Sequence, residues 1–168
     1  MVAGLILRPA AAADAPALAA LYGWHVRHGL GTFEETPPGA VEMAARLARI
    51  QGAGWPWLAA EVDGALAGYA YAGPFRERSA YRFTAEDSVY VAPDQGGRGV
   101  GRALLEAVLQ ACRARGVRQV LAVIGDSGNA ASIALHRRCG FTDAGRLHAV
   151  GYKHDRWVDV VLMQKALP

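Results

Sequence analysis

Apolar positions along this chain switch between the two periods of secondary structure, and glycine or proline marks most of the switches. Leu5-Ile-Leu reads as a short first strand. Asp14 is expected to cap a helix that begins near Ala15-Pro16 and runs through Leu18, Leu21 and Tyr22 to about His28. Gly29 to Thr36 is loop-like. Pro37-Pro38 is expected to open a second helix carrying Val41, Ala44, Ala45, Leu47 and Ala48, ended by Gly52 and Gly54. Trp57 to Val62 and Leu66 to Ala72 form a hairpin about Asp63-Gly64, a dipeptide suited to positive φ. An arginine-bearing connector, Pro74 to Ser79, leads into a long strand from about Tyr81 to Val91. After a glycine-dense turn comes a helix with Leu104, Ala107, Val108, Ala111 and Cys112 on one face, ended by Gly116. Val120 to Ile124 is a continuous apolar run, as in a central strand covered on both sides. A helix from about Asn129 to Cys139 and strands near Arg146–Lys153 and Val158–Gln164 complete the chain. No repeat, linker or low-complexity segment interrupts it, so residues 1–168 read as one α/β domain.

Composition narrows the partners. The chain is 52% hydrophobic and 20% charged, which is globular. Its net charge of +3 is spread over small separated groups, Arg76/Arg78, Arg113/Arg115/Arg118 and Arg137/Arg138. That balance suits an anionic small molecule better than a nucleic acid, which calls for a larger basic footprint. No stretch approaches the roughly 20 apolar residues of a membrane span, and Met1 to Pro9 has no basic leader, so a cytoplasmic protein is the expectation. The two cysteines, Cys112 and Cys139, read as small buried helix residues. The five histidines show no metal-ligand spacing, and no metal is expected.

The distinctive chemistry lies in Ser88-Val-Tyr-Val-Ala-Pro-Asp-Gln-Gly-Gly-Arg-Gly-Val-Gly101. A strand runs into a turn holding Gly96, Gly97, Gly99 and Gly101, and the turn opens directly into a helix. This leaves a row of backbone N–H groups at a helix N-terminus, suited to phosphate. A nucleoside triphosphate loop would place Lys-Ser/Thr after the last glycine, where Arg102-Ala103 stands. The dinucleotide fingerprint G-x-G-x-x-G does not fit the spacing, and the turn is not at the first strand. A coenzyme A pyrophosphate loop is the third reading. Further along, Asn129, Ser132, Ile133 and His136 share one helical face.

On these two segments the chain resembles the GCN5-related N-acetyltransferases, nearly end to end. Gly99 and Gly101 match the small positions of that family's loop, Arg/Gln-x-x-Gly-x-Gly/Ala, while Gly96 stands where Arg or Gln is usual. Asn129 to Phe141 is similar to its second cofactor segment. The resemblance implies an α/β fold with a central mixed, mostly antiparallel twisted sheet of six to seven strands, flanked by about four helices and splayed between strands 4 and 5. It implies acetyl-CoA as cosubstrate, held by Val89, Tyr90 and Val91, by Gly97, Arg98, Gly99, Val100, Gly101 and Arg102, and by Asn129 and Ser132. It also implies a homodimer.

Transfer of acetyl to an amine needs a base for the ammonium proton and support for the oxyanion. Strand alternation puts Glu86, Ser88 and Tyr90 on one face and Asp87, Val89 and Val91 on the other. A carboxylate in so apolar a strand stands out. Tyr71 to Val91, Trp55 to Gly64 and Gly151 to Val160 look like segments of the phosphinothricin N-acetyltransferases, a layout shared with methionine sulfoximine/sulfone acetyltransferases. That resemblance implies Glu86 as the general base and places His136 in the catalytic set. It also implies an acceptor pocket lined by Phe33, Arg76, Arg78, Tyr81 and Tyr90 for a small-molecule amine. Arg suits an acceptor with anionic ends, since it can fork onto an oxyanion. A polyamine, an aminoglycoside or a protein N-terminus is the rival acceptor, and a coenzyme A-binding sensor without catalysis is the rival function.

Overall fold

A computed structural model describes residues 4–168; residues 1–3, the start of the segment expected to carry no leader, lie outside them. Seven strands are present: β1 (Leu5–Pro9), β2 (Trp57–Val62), β3 (Ala65–Pro74), β4 (Thr84–Val91), β5 (Gln119–Gly125), β6 (Thr142–Lys153) and β7 (Arg156–Ala166). Four α-helices accompany them: α1 (Ala15–His28), α2 (Ala40–Gly52), α3 (Val100–Ala114) and α4 (Ala130–Arg138). The strands make one sheet in the order β1-β2-β3-β4-β5-β7-β6, antiparallel except for β4 and β5. The Asp63-Gly64 turn takes positive φ at both residues, as that dipeptide predicts.

The parallel pair is short. β4 and β5 are in register only from Thr84↔Gln119 to Asp87↔Ala122. Beyond that, Ser88–Val91 stays with β3 and Val123–Gly125 stays with β7. The sheet is therefore splayed between strands 4 and 5, as expected, and the parted strands leave a gap with backbone on both sides.

Each face of the sheet has its own core. On one, α3 buries Val100, Leu104, Leu105, Val108, Leu109 and Cys112 against Ala70, Ala72, Ala85, Val120 and Ala122. On the other, Leu18, Tyr22 and Val26 of α1 and Met43 and Leu47 of α2 close over Trp57, Ala59 and Tyr69. At about 25 cal/mol per Å² of apolar area, these two layers supply most of the folding drive.

Local chemistry redraws some expected boundaries. Asp14 does not cap α1 with its side chain; its carboxylate takes Arg8 at 2.7 and 2.8 Å and the amide of Ala11 at 2.7 Å, closing a 3-10 turn at Ala12–Asp14 instead. The second helix starts at Ala40, with the extended Gly39 as its N-cap and the two prolines outside it. Ser79–Tyr81 is a 3-10 turn, so β4 starts at Thr84, not Tyr81. β5 is central but not covered throughout, since Val123 is 38% exposed just past the point where the strands part.

One glycine of β3 tests this packing. A Cβ on Gly68 would lie 2.8 Å from the Tyr90 carbonyl oxygen and 3.2 Å from Leu104 Cδ1, so backbone and α3 would both have to move. Gly68→Ala is expected to cost about 1–3 kcal/mol, read as a lower urea midpoint with unchanged m. A wild-type midpoint would mean that α3 does not sit this close.

Candidate active site

The glycine turn builds the mouth of the gap. β4 ends at Val91, a 3-10 turn spans Pro93–Gln95, and the chain passes Gly97 (φ 74°) and Gly99 (φ 92°) into α3. Only glycine takes those angles without strain. Gly99 is the N-cap, and Ala103 is the first residue of α3 whose amide finds a carbonyl, that of Gly99. The amides of Val100, Gly101 and Arg102 therefore face out of the helix end, where the helix dipole adds partial positive charge. A Cβ on Gly101 would lie 3.2 Å from Val91 Cγ2 and 3.3 Å from Leu135 Cδ2, so its smallness lets α3, β4 and α4 converge. Gly96 is different: its backbone is extended (φ −60°), and an added Cβ would meet only the Pro93 carbonyl at 3.7 Å. Nothing steric demands glycine there. The exposed side chains nearby pair locally, Arg98 with Gln95 at 2.6 Å and Arg102 with Glu106 at 2.8 Å.

Along the gap, alternation sorts the β4 side chains as expected. Val89 and Val91 pack with the α3 core. Tyr90 packs with the α1–α2 core, its ring 5.0 Å from Tyr22 and 5.2 Å from Tyr69. His25 of α1 donates from Nε2 to the Val91 carbonyl at 2.9 Å, and burial lowers its pKa. In the sequence His25 carries no signal of this contact, because a histidine at a helix C-terminus already has a sufficient local reason to be there. On the far side, Asn129 caps α4, its Oδ1 accepting from the Ser132 amide at 3.2 Å.

Glu86 is half-buried on the face of Ser88 and Tyr90. Burial raises its carboxyl pKa and the Asp87 charge adds to the rise, while the Arg76 charge opposes it. Arg76 is exposed, its guanidinium 4.8 Å from the Phe75 ring centre. Tyr81 meets the same ring edge-on at 5.6 Å. Arg78 is exposed and joins Phe75, Arg76 and Tyr81 around one surface depression. These connector residues therefore gather beside the strand that carries Glu86.

Phe33 comes from the loop between α1 and α2. Its ring lies on Gly151 of β6 and Gly125 at the end of β5; a Cβ on Gly151 would sit 2.3 Å from Phe33 Cε2. Three elements hold that loop. Tyr22 reaches Thr32 Oγ1 at 2.6 Å, Lys153 Nζ donates to the Thr32 carbonyl at 2.7 Å, and Arg46 pairs with Glu34 at 2.5 Å. Lys153 is buried, which lowers its pKa. None of Thr32, Glu34, Arg46 or Lys153 stood out in the sequence, where each is an ordinary polar residue of a loop, helix or strand.

His136 is buried within α4, with Nδ1 2.8 Å from the Ser132 carbonyl and Nε2 2.9 Å from Asp87 Oδ2. Asp87 was read only as facing away from Glu86; the alternation that showed this carried no hint of its partner. Among the described residues no group of three or more His, Cys, Asp or Glu side chains is arranged as a metal site, and no helix is long and apolar enough to cross a membrane.

A mixed sheet parted after one parallel pair, with free helix-end amides at the mouth of the gap, is the architecture of acyltransferases that draw on acetyl-CoA. Residues 18–141 match the Acetyltransferase (GNAT) family, and the chain belongs to it. It is 56% identical over 154 residues to a phosphinothricin N-acetyltransferase of Alcaligenes faecalis, covering 92% of this chain and 78% of that one. It is 41% identical over 162 residues to an L-methionine sulfoximine/L-methionine sulfone acetyltransferase of Pseudomonas paraeruginosa, covering 94% and 92%. The crystal structure of a Sinorhizobium meliloti phosphinothricin acetyltransferase in complex with acetyl-CoA superposes with a TM-score of 0.94 at 46% identity, over 98% of this chain and 89% of that one.

The raised carboxyl of Glu86 has a thermodynamic signature. A buried acid with a raised pKa holds its proton better folded than unfolded, so stability falls as pH rises through the window above the ordinary carboxylate value of 4.5. Glu86→Gln is expected to raise Tm at pH 8 and to lose that advantage near pH 4. An equal or lower Tm at pH 8 would mean that the carboxylate is not penalised by its site.

Proposed function

We propose that the protein transfers acetyl from acetyl-CoA directly to the α-amine of a small amino-acid-like acceptor, of the phosphinothricin or methionine sulfoximine/sulfone kind, with Glu86 as general base. The observation that carries this reading is the half-buried Glu86, its carboxyl pKa raised, on the strand that borders the gap. A base must bind the proton of an ammonium ion yet be ionised when the acceptor arrives, and a raised carboxyl is matched to that task.

The pyrophosphate of acetyl-CoA would rest on the amides of Gly97 to Arg102, which need no particular side chain. The pantetheine arm would lie along Val89, Tyr90 and Val91, opposite Asn129 and Ser132. Glu86, directly or through a water, would take the amine proton, and the free amine would attack the thioester carbonyl. The acetyl carbon gains its bond to nitrogen as the bond to sulfur breaks, and the second proton that the nitrogen must lose would pass to the departing sulfur, so coenzyme A leaves as the thiol. Direct transfer is supported by the cysteines: burial pushes the Cys112 thiol up to about 12 and raises Cys139 as well, so neither offers a thiolate.

Arg76, Arg78 and Tyr81 would receive the anionic ends of the acceptor, with Phe33 as the apolar wall and Tyr90 below it. The names of the two relatives point to the same acceptor chemistry. We also propose a homodimer. Supporting it, most of β6 is exposed, and Leu147, Val150, Tyr152 and Trp157 of the β6–β7 hairpin turn apolar surface outward.

Thiol release scored over phosphinothricin, methionine sulfoximine, methionine sulfone, spermidine and a peptide tests the acceptor. The amino-acid analogues are expected to lead, and preference for spermidine or the peptide over all of them would refute the reading. With the best acceptor, Glu86→Gln is expected to lower kcat by about 10²–10⁴-fold with acetyl-CoA affinity nearly kept. Unchanged turnover would remove Glu86 as the base.

A further inference from the structure

His136 and Asp87 form a pair whose hydrogen-bond logic is unusually restrictive. The Ser132 carbonyl, 2.8 Å from Nδ1, can only accept, so Nδ1 donates. With Asp87 ionised, its carboxylate oxygen, 2.9 Å from Nε2, likewise accepts, so Nε2 donates. Neutral imidazole has one N–H, and satisfying both partners takes two. The side chains are 5% and 1% exposed, so no water competes for either bond.

Ser132 Oγ also lies 3.4 Å from Nδ1, but the carbonyl at 2.8 Å is the nearer partner, and a hydroxyl can accept from the ring N–H as well as donate. Phe141 meets the ring edge-on at 5.0 Å. Cys112 from α3 and Cys139 at the end of α4 sense the Asp87 charge, as Glu86 does, and both thiols are held protonated. Glu86, the next carboxylate, faces the opposite side of the sheet. Burial lowers the pKa of His136, but the bond and charge of Asp87 outweigh it and the net shift is upward. Among the described residues Asp87 Oδ1 has no partner, and His136 is the carboxylate's one side-chain bond.

Position gives the pair a task. Asp87 with Ala122 is the last register pair before β4 and β5 part. His136 sits one turn beyond Ser132, whose amide the Asn129 side chain caps. The pair thus ties α4 to the apex of the gap, between the strand carrying Glu86 and the helix carrying Asn129 and Ser132.

We propose that Asp87 is a positioning residue, which holds His136 as an imidazolium and through it fixes α4 against the apex of the gap, so that His136 neither gives nor takes a proton during acetyl transfer. Its activity readouts rest on the acetyl-transfer reading; its spectroscopic one does not.

Long-range ¹H–¹⁵N correlation spectra of the whole protein read the ring directly. Both nitrogens of His136 are expected to carry protons at pH 8, and Asp87→Asn is expected to make the ring neutral at that pH. A neutral ring in the wild type at pH 8 would overturn the proposal even if no acceptor is turned over. In His136→Gln the amide nitrogen can replace Nε2 and still donate to Asp87. This variant is expected to lose less than about tenfold in kcat and to keep the ascending limb of the pH profile, against the 10²–10⁴ typical of a lost proton-transfer group. A folded His136→Gln enzyme more than about 100-fold slower, with an altered limb, would make His136 an acid–base group and overturn the proposal.

Discussion

The parting of β4 from β5 after the Asp87–Ala122 pair is the constraint on which the rest of this molecule depends. Each strand keeps its outer partner, β3 for one and β7 for the other, so the gap opens without exposing a ragged sheet. Backbone groups that would have satisfied each other across the pair are left facing the space between. Unpaired backbone in a protein interior is costly, and it persists where a ligand or water completes it. The glycine turn then brings the end of α3 to the mouth of the same gap, and α4 closes the other side. Strand edge, helix end and capped helix are thus three consequences of one register decision.

Around the apex, neighbouring carboxylates meet opposite fates. Glu86 looks toward the α1–α2 face and is left half-buried without a bonded cation, so its proton is held more tightly than usual. Asp87 looks toward α3 and α4 and is bonded to His136 at 2.9 Å. A buried pair of this kind is weak as a source of net stability, because desolvation offsets the attraction. Its worth is geometric: it permits one orientation of α4 on the strand. The loop carrying Phe33 is fixed by the same strategy, with Lys153, Tyr22 and Arg46 each spending a polar contact on it.

Much of this was legible in the chain. The order of strands and helices follows from apolar period and glycine punctuation, and the four-glycine turn identifies itself because Gly97 and Gly99 must adopt positive φ. Alternation assigned Glu86 and Asp87 to opposite faces correctly, since parity is a local property. Partners distant in sequence were not legible. Nothing near Asp87 announces His136, 49 residues on, and nothing near Thr32 announces Lys153, 121 residues on. The 3-10 turn at Ser79–Tyr81 was missed for a similar reason: Tyr and Phe favour strands, and tertiary context overrode them. The departure at Gly96 also changes meaning, for its extended, uncrowded backbone leaves room for the side chain it lacks.

Hydrogen exchange of the intact protein with and without acetyl-CoA tests the central claim, that the gap and the glycine turn together form the donor site. Protection is expected at the amides of residues 88–91 and 97–102 and at the first turn of α4, with the β1–β2 edge unchanged. Protection confined to other elements, or none at saturating acetyl-CoA, would contradict it.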